Sequence, residues 1–151
     1  MRIFRVADHR FPIFDGTGAS LIGGRWNSPG RPVIYAAETF AGALLEVLVH
    51  SNLGRLPKTH AAIEISIPES VAVESLEGPS LPGWDAEDQL GSRAFGDEWL
   101  AARRSAVLLV PSAILRGRER NVLINPLHPD FAQITAGGQQ DVHWDKRLFP
   151  H

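Results

Sequence analysis

Hydrophobic and polar residues alternate along this chain in short runs, broken by clusters of glycine and proline. His60 to Ile67 is the clearest run. Ile63, Ile65 and Ile67 fall on one side and Ala62, Glu64 and Ser66 on the other, the two-residue period of a half-buried strand. Arg2–Val6 and Pro32–Ala36 read as further strands, and Ala106–Val110 as a continuous apolar strand ended by Pro111. Asn121–Ile124 is a short strand stopped by Asn125-Pro126, while Val71–Val73 and Val142–Trp144 are candidate additions. Two segments predict helices instead. Thr39 caps one that runs to about His50 or Ser51, with Phe40, Ala41, Leu44, Leu45 and Leu48 on one broad face. The second is expected around Gly96 to Arg104. Five glycines and one proline between Asp15 and Arg31 predict a loop with turns, and Gly78–Gly83 predicts another. Strands outnumber helices, and the helices interrupt them irregularly. The expected class is therefore α+β rather than a regular βαβ alternation.

The chain has 151 residues, the length of one domain spanning 1–151. It has no cysteine, which excludes disulfides, thiolate catalysis and cysteine-ligated metal. The six histidines are scattered without a His-Glu-x-x-His pairing, so no metal is expected. No apolar run is long enough to span a membrane. Charges in MRIFRVADHR occupy the place of a signal peptide's apolar stretch, so a cytoplasmic location is expected. Net charge is −2, against the basic surface of a protein that coats phosphates, and no direct nucleic-acid binding is expected. The charge is unevenly spread, however. Residues 61–100 hold nine acidic side chains and one basic, Arg93, whereas both flanks are basic and thirteen of the fifteen cations are arginine. Arginine forks onto phosphate and carboxylate, so the flanks are suited to meet around an anion.

The 39–51 helix carries the most chemistry. At 100° per residue Gly42, Glu46 and His50 line up, while nearly every other position is apolar. A helix apolar almost all round predicts burial, and a buried carboxylate must be paired or face a cleft. Gly42 would leave room for a ligand, and His50 has an alternative role against the helix C-terminal dipole. In Gly23-Gly24-Arg25-Trp26-Asn27 two glycines let backbone approach a ligand while Arg25 forks onto an anion. The alternative is an arginine in a turn beside a half-buried tryptophan. Tyr35, the single tyrosine, is either a stacking platform or a core aromatic. Ser112 reads as a turn or helix cap, Asn121 and Asn125 frame a turn, and His128-Pro129-Asp130 reads as a cap.

Together, "GASLIGGRWNSPGRPVIYAAETFAGALLEVLVH", "GDEWL…SAVLLVPSAIL", "ERNVLINPLHPDF" and "DKRLF" resemble the RES domain, the toxin half of bacterial Xre–RES toxin–antitoxin modules. The resemblance runs from Phe4 to Phe149, with the motifs in the family's order; Asp145-Lys146-Arg147 lacks a proline expected there. It implies a fold like the diphtheria-toxin type of ADP-ribosyltransferase, a split sheet whose central cleft takes NAD⁺ as substrate. It implies catalytic roles for Arg25, Glu46, Ser112 and Tyr35, with Gly24, Trp26, Asn27 and Asn121 beside them around the ligand. The implied activity is cleavage of NAD⁺ by water or phosphate, with ADP-ribosylation of a protein acceptor as the alternative. A non-catalytic NAD-binding module is a third, weaker reading. The implied partner is an Xre-type helix-turn-helix antitoxin that blocks the cleft, with a homodimer of the toxin within the complex. Arg116-Gly-Arg118-Glu-Arg120 is then a candidate receiver for an acidic tail.

Overall fold

β-Branched and leucine-rich runs build most of the sheet seen in a computed structural model, which describes residues 1–51 and 55–149. The strands are β1 (Arg2–Asp8), β2 (Ile34–Ala37), β3 (His60–Ser66), β4 (Val73–Ser75), β5 (Val107–Pro111), β6 (Arg120–Ile124), β7 (Thr135–Ala136) and β8 (Gln140–Asp141). They lie in the order β4-β5-β6-β2-β1-β3-β7, with β8 also on β3. β4 and β5 are parallel and the other pairs antiparallel. The helices are α1 (Thr17–Ile22), α2 (Phe40–His50) and α3 (Leu90–Ala102).

The sheet is two half-sheets with a thin join. β1 runs along β3 for seven residue pairs and β2 along β6 for four, but β1 and β2 meet only at Phe4↔Ala37. Arg5 fills the gap where further ladder bonds would form. Its Nε donates to the carbonyl of Ile13 (2.8 Å) and its Nη1 to that of Tyr35 (2.7 Å). Burial pulls the Arg5 pKa below its ordinary value while Asp15 pushes it back.

Register decides which side chains share a face, because successive residues in a strand point to opposite sides. Ile3, Ile34, Ala36, Ile63, Ile65, Val107, Leu109, Val122 and Ile124 form one core, closed by Ile13, Phe131 and Ile134. On the other face two separate blocks form. Leu108, Val110, Leu123 and Tyr35 pack under Trp26 and the α3 residues Trp99 and Leu100. Phe4, Val6, Ala37 and Ala62 pack under Ala43, Leu44 and Val47 of α2. Each large apolar side chain enclosed in these blocks contributes roughly 1.5–3 kcal/mol relative to exposure. The seam between them runs over Tyr35, Ala37 and Asn121.

Several elements depart from the sequence pattern. α1 lies inside the predicted glycine loop. It has one and a half turns and no buried residue, so no periodic face announced it, and Leu21 and Ile22 are 74% and 83% exposed. α3 begins six residues before the expected Gly96. Asp88 accepts from the Leu90 amide at 3.0 Å, and the weak helix formers Gly91 and Ser92 fill its first turn. The last strand is Gln140–Asp141 rather than Val142–Trp144, whose apolar side chains instead pack against the block formed by Val6, Ala37, Ala43 and Ala62. β4 begins at Val73, and the predicted stretch 71–73 mostly precedes it. α2 is less enclosed than its composition predicts: only Gly42 and Ala43 are buried, because it covers the sheet as an outer layer. The expected end of α2 falls within the described residues, with Ser51 as its C-cap.

Candidate active site

Thr39 starts α2 as expected, its Oγ1 accepting from the Gly42 amide at 2.9 Å and donating to Glu119 Oε1 at 2.6 Å. That anchors the helix to the residue just before β6, and Glu46 then falls over the seam. Its Oε1 accepts from Asn121 Nδ2 at 2.8 Å, and its Oε2 lies 3.3 Å from His50 Nε2. The Glu46 side chain is 29% exposed. The carboxylate is thus neither free in solvent nor sealed in the core. Two of its roughly four lone-pair positions are taken, leaving the others for a ligand. Asn121 belongs beside Glu46 because it shares a face with Val110 and Ala37, its cross-strand partners. His50 does more than meet the helix dipole: the Glu46 carboxylate 3.3 Å away holds its pKa above the ordinary 6.5, against desolvation and the Arg25 guanidinium.

The space beside Gly42 is not ligand room. A Cβ there would meet Thr39 Oγ1 at 3.0 Å, Glu119 Oε1 at 3.3 Å and the Ala37 Cβ at 3.4 Å. Gly42 instead lets α2 settle closely onto the strands.

The Gly23–Asn27 loop faces the seam from the α3 side. Arg25 Nη1 donates to the carbonyls of Trp84 (3.2 Å) and Ala86 (3.1 Å). Three of its five N–H donors therefore remain for an anion. Gly24 is required by its neighbour, since a Cβ would lie 2.7 Å from the Tyr35 hydroxyl. That hydroxyl donates to Asn27 Oδ1 at 2.6 Å and accepts from the Trp26 amide at 3.1 Å. Burial, above all, pushes the Tyr35 pKa upward, so it is a neutral phenol. Asn27 is fully buried, with Nδ2 donating to the carbonyls of Ala19 and Arg31, both at 2.9 Å. Trp26 is 2% exposed, its ring edge-on to Phe95. Both were expected around the ligand. In the structure both are buried, with the Asn27 amide bonded to Tyr35 and to backbone carbonyls of Ala19 and Arg31.

Ser112 continues the β5–β6 ladder, its amide donating to Glu119 O at 3.0 Å, on the same face as Asn121. Its Oγ accepts from the Leu115 amide at 3.3 Å, so it caps the turn that follows. Asn125 and His128 also take the turn and cap roles read from the sequence.

Four α3 residues with no expected role at the site hold the Arg25 loop. Ser92 Oγ donates to Arg25 O (2.8 Å), Arg93 Nε to Gly24 O (3.2 Å), and Asp97 accepts from the Ser28 amide (2.8 Å) and hydroxyl. Gly96 lies so close to Trp26 that a Cβ would sit 1.7 Å from its carbonyl oxygen. Their i, i+4 spacing was visible in principle, but only with the helix started at Leu90. A cavity of about 420 Å³ adjoins the loop's anchor, lined by Trp84, Arg116 and Arg120 among others. Glu46, Tyr35 and Arg25 do not line it. Among the described residues no group of three or more His, Cys, Asp or Glu side chains is placed to hold a metal ion. No described helix is long and apolar enough to cross a membrane.

Comparison with known proteins places this geometry in a context. The RES domain family matches residues 2–145. The chain is 43% identical over 137 residues to "Prs ADP-ribosylating toxin" of Sphingobium sp. (strain YBL2), covering 88% of this chain and 84% of that protein. It is 41% identical over 152 residues to "Toxin Res" of Pseudomonas putida KT2440, covering 99% and 100%. In structure it is similar to a chain of the M. tuberculosis MbcT–MbcA toxin–antitoxin complex, with a TM-score of 0.76 over 93% of this chain and 83% of that one. At 20% identity the last likeness speaks to the fold alone.

Proposed function

Since the chain belongs to the RES domain family, we propose that it is the toxin of a toxin–antitoxin pair and cleaves the nicotinamide–ribose bond of NAD⁺. Water or phosphate takes the ADP-ribosyl group. The single observation that carries this reading is Glu46, a part-exposed carboxylate held by Asn121 and His50, with the Arg25 guanidinium near enough to act on His50. The donor set suits the substrate. Arg25 keeps free N–H groups for a pyrophosphate, and the Tyr35 ring offers a flat apolar surface for a heterocycle. Glu46 has lone pairs for ribose hydroxyls.

Breaking the C1′–nicotinamide bond sends the bonding pair to the pyridine nitrogen, so nicotinamide leaves neutral and needs no acid. Positive charge builds on the ribose as the bond stretches. A preorganised negative charge beside it lowers that barrier without reorganising at the moment of reaction. Asn121 and His50 orient Glu46, Asn27 and Trp26 orient Tyr35, and Ser112 stabilises the floor under Asn121. Purified protein incubated with NAD⁺, with and without phosphate, is expected to release nicotinamide together with ADP-ribose or its phosphate. E46Q is expected to lower turnover by about 10²–10³. Full turnover in E46Q would remove the mechanism.

A second reading, transfer of ADP-ribose to a protein, is favoured by the printed name of the Sphingobium relative. It predicts label from NAD⁺ on a macromolecule rather than in free product. An antitoxin partner is supported by the relative named "Toxin Res"; we take it to be of Xre type and to cover the seam.

A further inference from the structure

Glu46 has two oxygens and two different holders. Asn121 comes from β6, across the seam, and its amide does not titrate. His50 comes from the last turn of the same helix, one turn beyond Glu46, with its Nε2 3.3 Å from Oε2. Its side chain is 77% exposed, so the imidazole exchanges protons with solvent while touching the carboxylate. An exposed i, i+4 pair on a helix stabilises only slightly. Fold stability alone therefore gives little reason for a histidine at this place.

Resting on the NAD⁺-cleaving reading above, we propose that His50 is a positioning residue for that reaction. Its Nε2–H fixes the second oxygen of Glu46 while Asn121 fixes the first, and its protonation sets how much negative charge the carboxylate presents to the ribose. With His50 cationic, the pair is close to neutral and the field at the sugar is weak. With His50 neutral, the Nε2–H bond can persist and the full charge of Glu46 bears on the seam. Cleavage therefore rises with pH as His50 loses its proton.

The charged groups bearing on His50 are Glu46 on its own helix and Arg25 from the loop across the seam, which opposes its protonation. Other charges on the elements packed against α2 are engaged elsewhere. On β1, Arg5 is spent on two carbonyls, Asp8 pairs with Arg10, and Arg2 pairs with Glu64 of β3. Glu38 and Glu119 stand at the opposite end of α2, bonded to Arg120 and Thr39. In the C-terminal segment, whose Val142 and Trp144 join the block under α2, Asp145 pairs with Arg147, and His143 is exposed.

The test is kcat and KM for nicotinamide release from about pH 5.5 to 9, for the unaltered protein, H50A, H50Q and E46Q. The unaltered protein is expected to show an acidic limb with a midpoint above 6.5, the ordinary histidine value. H50A is expected to lose that limb and to lower kcat about tenfold, with KM within about twofold. H50Q keeps a donor to the same oxygen but cannot titrate, so it is expected to lack the limb and to recover much of the lost kcat. An H50A protein with the limb and kcat intact overturns the inference, as does H50Q no better than H50A. In either case a collapsed rate in E46Q leaves the NAD⁺ reading standing, whereas a full rate in E46Q fails that reading itself.

Discussion

Tyr35 shows how much one side chain here depends on others. Its hydroxyl satisfies the fully buried Asn27 Oδ1 and the Trp26 amide at once. In Y35F both lose a partner within the protein, so chemical denaturation is expected to show a loss of about 1–3 kcal/mol. A smaller loss would mean that the loop re-pairs on its own. For His50 the expected observable is a titration. Its pKa in the folded state lies above the unfolded value near 6.5, because Glu46 favours the cation. The pair's contribution to stability is therefore complete below the unfolded pKa and disappears as pH rises through the folded one. Histidine NMR is expected to place the His50 midpoint above 6.5 and to move it back towards that value in E46Q. The alignment of Gly42, Glu46 and His50 was legible in the sequence, since helical geometry alone sets it. Their surroundings were not. Asn121 is 75 residues away from Glu46, and Glu119 is one of the groups that fill the Gly42 space.

Among the elements, α3 is the one whose position controls the site without contributing a group to the seam. Its Ser92, Arg93 and Asp97 bond the 24–28 backbone or Ser28, and Gly96 permits the approach. In G96A a Cβ 1.7 Å from a backbone oxygen must push loop and helix apart. Overpacking of this kind costs about 1–3 kcal/mol or more, and NAD⁺ turnover is expected to fall with it although Gly96 touches nothing reactive. Differential scanning calorimetry beside the nicotinamide assay checks both, and a fully active G96A would show that the loop does not need this contact. α2 was readable from its cap and periodicity. The start of α3 was obscured by Gly91 and Ser92, and α1 by its shortness and lack of a buried face.

At the scale of the whole molecule the thin join between half-sheets stands out. One residue pair, Phe4↔Ala37, links β1 to β2, and the guanidinium of Arg5 takes the carbonyls of Ile13 and Tyr35 beside it. The seam that receives Glu46 and Tyr35 lies over this join, with one packed block on either side. R5M keeps much of the side chain's length but leaves two carbonyls without a partner, each costing about 1–3 kcal/mol. The expected result is a lower urea midpoint. An unchanged midpoint would show that water replaces the guanidinium at no cost.

The periods of two and 3.6 residues determined by themselves the α+β class, most strands and the one helix that presents Glu46, because these depend on contacts between near neighbours in the chain. The family's motifs were likewise legible, since they are contiguous stretches. What the tertiary structure decided is which of those motif residues meet. Register puts Asn121 under Glu46, α3 turns Trp26 and Asn27 inward, and the missing ladder between β1 and β2 is replaced by an arginine. Such pairings are set by chain segments tens of residues apart competing for the same space and the same hydrogen bonds, and no local pattern records who wins.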